Sequence, residues 1–94
     1  YEDDHFLAFY DNHPLATLHA LVIPKKHIAK LSEASNRDVN LLGKIQIAIV
    51  KIAKDLKIED SFRVLLCNGE KVGQSVFHVH YHLRGGWENP PKDI

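Results

Sequence analysis

The chain has 94 residues, with 12 Lys and Arg against 12 Asp and Glu, so its formal net charge is zero with histidine neutral. That length suits one compact domain, residues 1–94, and leaves no room for a second; 45% hydrophobic and 26% charged residues fit a globular chain, not a disordered one. Neutrality argues against nucleic-acid polymers and anionic membranes as partners, since both require an excess of Lys and Arg, and leaves seven histidines as the surplus to be explained.

No run approaches the roughly 18 apolar residues of a membrane span, and no signal peptide is visible. A single cysteine, Cys67, cannot staple the fold, which points to a reducing compartment and a cytoplasmic location. His5 to Tyr10 reads as a strand closed by the turn formers Asp11, Asn12, His13 and Pro14. Leu18 to Ile23, stopped by Pro24, reads as a second strand in a hairpin with the first. Lys25 to Glu33 is expected to form a brief helix.

The main helix is expected over Asp38 to Leu56, where Leu42, Ile45, Ile49, Ile52 and Leu56 recur at three and four and Leu41, Ala48 and Ala53 widen the stripe. Ser35 with Asp38 resembles a capping box. Ile47 and Val50 lie off the stripe, and a subunit contact and scattered exposure remain equally open readings. Phe62 to Cys67 reads as a buried strand with an inert thiol, Asn68 to Gly73 as a loop, and Val76 to Leu83 as the last strand, ended by Gly85 and Gly86 before an irregular tail, Trp87 to Ile94. Strands around one long and one short helix indicate an α+β domain with an antiparallel sheet.

His78, His80 and His82 alternate along that last strand, which would bring three imidazoles to one face at spacings of about 6.5–7 Å. Three chemistries compete. A metal site would need a further ligand, for which His19 and Cys67 are candidates. Nucleophilic catalysis would use one imidazole to attack phosphorus while its neighbours orient it and move protons. The plain alternative is a set of half-buried histidines satisfied by backbone groups. Gly73-Gln74-Ser75 immediately before the strand favours the second, because glycine admits an anion to the backbone and successive amides with the Ser75 hydroxyl can donate to phosphate oxygens.

The segment Gly73-Gln74-Ser75-Val76-Phe77-His78-Val79-His80-Tyr81-His82-Leu83-Arg84 closely resembles the signature of the histidine triad (HIT) family, with Arg84 standing where an apolar residue is usual. Ala8-Phe9-Tyr10-Asp11 and His19-Ala20-Leu21-Val22-Ile23-Pro24-Lys25-Lys26-His27-Ile28 resemble its N-terminal segments. Leu83-Arg84-Gly85-Gly86 and the Pro-Pro ending look most like the Hint branch of purine nucleoside phosphoramidases, while the shorter loop Asn68 to Gly73 resembles bacterial Hit-type proteins.

The resemblance implies a five-stranded antiparallel sheet with one long and one short helix, a homodimer with a continuous sheet, and metal-free, cofactor-free hydrolysis of nucleoside 5′-phosphoramidates such as AMP conjugates. It implies His80 as nucleophile, His82 as proton donor or phosphate contact, His78 as orienting group and His19 as the fourth member of the relay. For nucleotide binding it implies Asp11 at the ribose, Phe9 at the base, and Asn68, Gly73, Gln74 and Ser75 around the phosphate. His27 is expected outside the site, and His5 and His13 have no assigned task. A dinucleoside polyphosphate hydrolase, a nucleotidyl transferase and a nucleotide-binding interaction protein are the rival readings.

Overall fold

A computed structural model describes residues 1–12 and 14–92. Its strands are β1 (Phe6–Tyr10), β2 (Leu18–Pro24), β3 (Phe62–Leu65) and β4 (Tyr81–Gly85), and its one α-helix is α1 (Val39–Asp55). The sheet is antiparallel in the order β1-β2-β4-β3, so the hairpin read between the first two strands is present. Among the described residues there are four strands, not the five expected, and Lys25 to Glu33 yields only a 3-10 turn at Leu31–Glu33.

The missing strand length has a local cause. Extended by the register of Val22 against Tyr81, the ladder would bring Val79 to Pro24. Pro24 has no N–H to give, and its carbonyl instead accepts a bond from the imidazole Nε2 of His78 at 2.7 Å. The Val79 N–H is drawn away to the carbonyl of Ile28, at 2.7 Å. Pairing therefore begins at Tyr81, and it runs through Gly85, past the point where the glycine was expected to end it. A Cβ at Gly85 would stand 2.7 Å from the Cδ1 and 3.3 Å from the Cβ of Ile58, so a larger residue there would have to displace that side chain.

The helix packs on β2 through the stripe read from the sequence, with Ile45, Ala48, Ile49, Ile52 and Ala53 all buried. These meet Ala8, Ala20, Val22, Tyr81 and Leu83 from one face of the sheet. Truncating a fully buried residue such as Ile45 to alanine would cost about 2–5 kcal/mol. The capping box is present: the Ser35 hydroxyl accepts from the Arg37 N–H, and the Asp38 carboxylate accepts from the Ser35 N–H. Asp38 is buried, and an ion pair with Lys26 and the Ser35 N–H hold its carboxyl below the usual carboxylate range. Ile47 and Val50 are exposed on the far side of the helix. No helix among the described residues is long and apolar enough to cross a membrane.

Candidate active site

The face of the sheet turned away from α1 carries the site, and the register fixes its layout. His19 pairs with Arg84 and Arg84 with Arg63, while Leu21 pairs with His82 and His82 with Leu65. Paired residues share a face, so one row across the sheet reads His19, Arg84, Arg63 and the next reads Phe9, Leu21, His82, Leu65. Asp11 continues the first row, its N–H donating to the His19 carbonyl at 2.9 Å.

Hydrogen bonds assign the tautomers. His19 is almost fully buried, and its Nδ1 accepts the Leu15 N–H at 3.0 Å. Its Nε2 must then carry the proton and donate to His82 Nδ1, 2.9 Å away. His82 in turn keeps its own proton on Nε2. Burial, followed by repulsion from protonated His80, from Arg84 and from protonated His19, lowers the His82 pKa to about 4 against an opposing pull from Asp11. Burial and the Arg84 charge lower that of His19 as well. Both rings are therefore neutral at pH 7, as the hydrogen-bond chain requires.

The other half of the site is set the same way. His80 Nδ1 donates to the carbonyl of His78 at 2.8 Å, so the lone pair of His80 resides on Nε2. Its ring stands 5.1 Å from that of His82, at 68°. His78 donates through Nε2 to Pro24, which makes its Nδ1 an acceptor, and His27 Nδ1 lies 3.2 Å from it. His27, expected outside the site, thus braces its first histidine. Sequence spacing holds no signal for this contact, because the two residues are 51 positions apart and His27 lies in no strand.

The first two triad histidines do not lie in a regular strand, since β4 begins at Tyr81. The alternation that suggested their common face is therefore not what gathers them. Gln74 does much of that work: its buried carboxamide accepts the Gly69 N–H and donates to the carbonyls of Ala29 and Val76, at 2.8, 2.8 and 3.0 Å. Its side chain is thereby committed to holding the loop, and only its backbone remains to meet a phosphate. Gly73 takes the left-handed conformation (φ +101°) that the turn before Gln74 needs. Ser75 is exposed at the loop's end, and the Asn68 carboxamide oxygen accepts the Ser32 N–H at 2.8 Å, which leaves its NH2 group as a donor.

Phe9, Leu21, Ile23, Val76, His78 and His80 line a cavity of 230 Å³. Below the roughly 300–1,000 Å³ of pockets that enclose whole drug-sized ligands, it matches one ring system with the rest of a ligand lying outside. Larger hollows of 370 and 410 Å³ contain no histidine, and one of 310 Å³ beside Asp38 is lined by His27 but by none of the triad. Cys67 is half-buried just past the end of β3. Asp11, His19 and His82 present ligand atoms within 4.8 Å of one another, with Asp11 Oδ2 at 3.5 Å from His19 Nε2. That donor set joins His19 as the metal reading required and omits Cys67, but the proton shared by the two rings and the nearby Arg84 charge both oppose a cation. His13 lies outside the described residues, as do Asp93 and Ile94 at the end of the tail.

Fold and site together define an α+β protein with a cluster of imidazoles on one face of an antiparallel sheet. The HIT domain family model matches residues 1–89. A HIT-like protein of Synechocystis sp. is 49% identical over 86 residues, covering 92% of this chain and 75% of that one. Protein HitA of Neisseria gonorrhoeae is 41% identical over 85 residues, covering 90% and 79%. Among solved structures, a HIT family hydrolase from Legionella pneumophila Philadelphia 1 superposes with a TM-score of 0.92 at 36% identity, covering 100% of this chain and 85% of that one. A histidine triad nucleotide-binding protein from Candida albicans gives 0.78 at 31%, covering 99% and 75%. The chain belongs to the HIT family.

Proposed function

We propose that this chain is a nucleotide hydrolase that cleaves nucleoside 5′-phosphoramidates and related nucleotidyl conjugates through a covalent nucleotidyl-His80 intermediate. The observation that carries the reading is the His80 hydrogen bond: with Nδ1–H committed to the His78 carbonyl, the neutral ring carries its lone pair on Nε2, beside a neutral His82. The hydrolase and the nucleotide-binding protein among the structural neighbours support the class.

In the first half-reaction the Nε2 lone pair attacks the α-phosphorus, the P–N bond to the amine breaks, and its electron pair stays on nitrogen. His82 Nε2–H is the donor placed to guide a proton from solvent onto that nitrogen. In the second half, water attacks phosphorus, the bond to His80 breaks with its pair returning to Nε2, and the proton lost by water balances the one taken up. His19 fixes His82 in the required tautomer. Asp11 meets the ribose, the 230 Å³ cavity behind Phe9 takes the purine, and Asn68, Gly73 and Ser75 with the Gln74 backbone surround the phosphate. Asp11 thus reaches both ribose and His19, which ties substrate binding to the relay.

A homodimer, a cytoplasmic setting and metal-free action belong to this reading. The exposed Val64 and Leu65 on edge strand β3, with Ile47 and Val50 on α1, favour a second copy, and a single free thiol suits a reducing compartment. The test is His80→Ala. Turnover of an AMP phosphoramidate is expected to vanish while AMP still binds by calorimetry, and the wild type is expected to show an AMP adduct by rapid-quench mass spectrometry. Retained turnover in the variant overturns the assignment.

A further inference from the structure

We propose that Arg84 forms an anion subsite beside His82, so that the preferred conjugates carry a carboxylate or a phosphate on the leaving group. This rests on the reading of His80 as nucleophile and His82 as the group facing the departing atom.

The placement follows from the sheet. His82 and Arg84 alternate on β4 and share the active face. Arg84 lies directly across from His19 on one side and from Arg63 on the other. Like charges directly opposite on neighbouring strands repel and destabilise a sheet, and the position is one where the family resemblance has an apolar residue. Arg84 Nε is nevertheless buried with no hydrogen-bond partner among the described residues. A buried donor on a cation costs stability unless something accepts from it. Such groups in folded proteins call for a particular explanation, and an ion or ligand is one.

Among the described residues, no acidic side chain is paired with Arg84. Asp11 is in the same row but on the far side of His19, where it faces that ring at 3.5 Å. The Arg63 guanidinium lies over the Trp87 ring, 5.7 Å from its centroid, at the outer end of the row. With His82 read as the group facing the departing atom, Arg84, two residues further along the same face of β4, supplies a planar, permanently charged fork, the chemistry suited to carboxylate and phosphate oxygens. The substrate classes this selects are amino-acid phosphoramidates with a free carboxylate and dinucleoside polyphosphates. The experiment separates the two.

Wild type, Arg84→Leu and Arg84→Lys are assayed on AMP joined through P–N to an amino acid with a free carboxylate, on its methyl ester, and on diadenosine triphosphate. The wild type is expected to favour the carboxylate over the ester by at least about tenfold in kcat/KM, the size of a charged hydrogen bond. In Arg84→Leu that ratio collapses towards one, and Arg84→Lys retains part of it. A matching loss on diadenosine triphosphate assigns a general anion subsite; a loss confined to one substrate assigns that source. A carboxylate-to-ester ratio unchanged in Arg84→Leu, together with unchanged turnover of diadenosine triphosphate, overturns the proposal. If the wild type cleaves none of the three, the reading of His80 fails. The subsite is then decided by titrating inorganic phosphate against the Arg84 Nε–H resonance of the wild type: a saturable shift upholds it and a flat response overturns it. The same titration decides the matter if Arg84→Leu does not fold.

Discussion

His19 Nε2 and His82 Nδ1 stand 2.9 Å apart across two strands, and the Leu15 N–H on the opposite nitrogen of His19 fixes which of them donates. The pair acts as one unit that keeps a proton on the outward nitrogen of His82. His19→Leu removes the donor and frees His82 to adopt either tautomer. Under the proposed hydrolysis, kcat for an AMP phosphoramidate is expected to fall by roughly 10²-fold or more, with KM little changed, in line with the usual worth of a positioned proton donor. A fall in KM alone, or full activity, would show that the relay does not reach the reaction.

The His82 pKa of about 4 has a consequence for stability. Between that value and the ordinary 6.5, the unfolded chain binds a proton at this residue that the folded chain does not. Stability therefore declines as pH falls through this window and levels off for this group below about 4. His19, also lowered, adds to the decline with the same sign. Urea unfolding at pH 7 and pH 5 is expected to show the loss, and His82→Asn is expected to reduce it. An imidazole resonance of His82 titrating near 6.5 would contradict the account.

Gln74 offers a separate check on what builds the site. Replacing it with leucine strands the Gly69 N–H and the Ala29 and Val76 carbonyls, and leaving such buried groups unmet costs about 1–3 kcal/mol each where water cannot enter. Gln74→Leu is expected to lower the urea midpoint clearly and to raise KM for nucleotide, because the loop that carries Gly73 and Ser75 loses its tether. Gln74→Glu keeps one acceptor but gives up the NH2 donor, and is expected to fall between. A leucine variant as stable as the wild type would mean that the loop is held by other contacts.

Much of this molecule was open to a local reading. The period of Ile45, Ile49 and Ile52, the Ser35–Asp38 cap and the β1–β2 hairpin are set by neighbours a few residues apart, and all three appear as read. The histidine motif identified the family for the same reason, since its residues are contiguous. What the tertiary structure decided is the state of each ring. Nothing within the motif says that His80 Nδ1 is tied to the His78 carbonyl, that His27 braces His78, or that pairing with β2 begins only at Tyr81 because Pro24 ends the ladder. The contacts of His78 with His27 and Pro24 join groups 51 and 54 positions apart, and only the packed chain settles which donor meets which acceptor. Arg84 shows the same division: the sequence marked it as a departure, and strand register placed it opposite His19, with its Nε unpaired among the described residues.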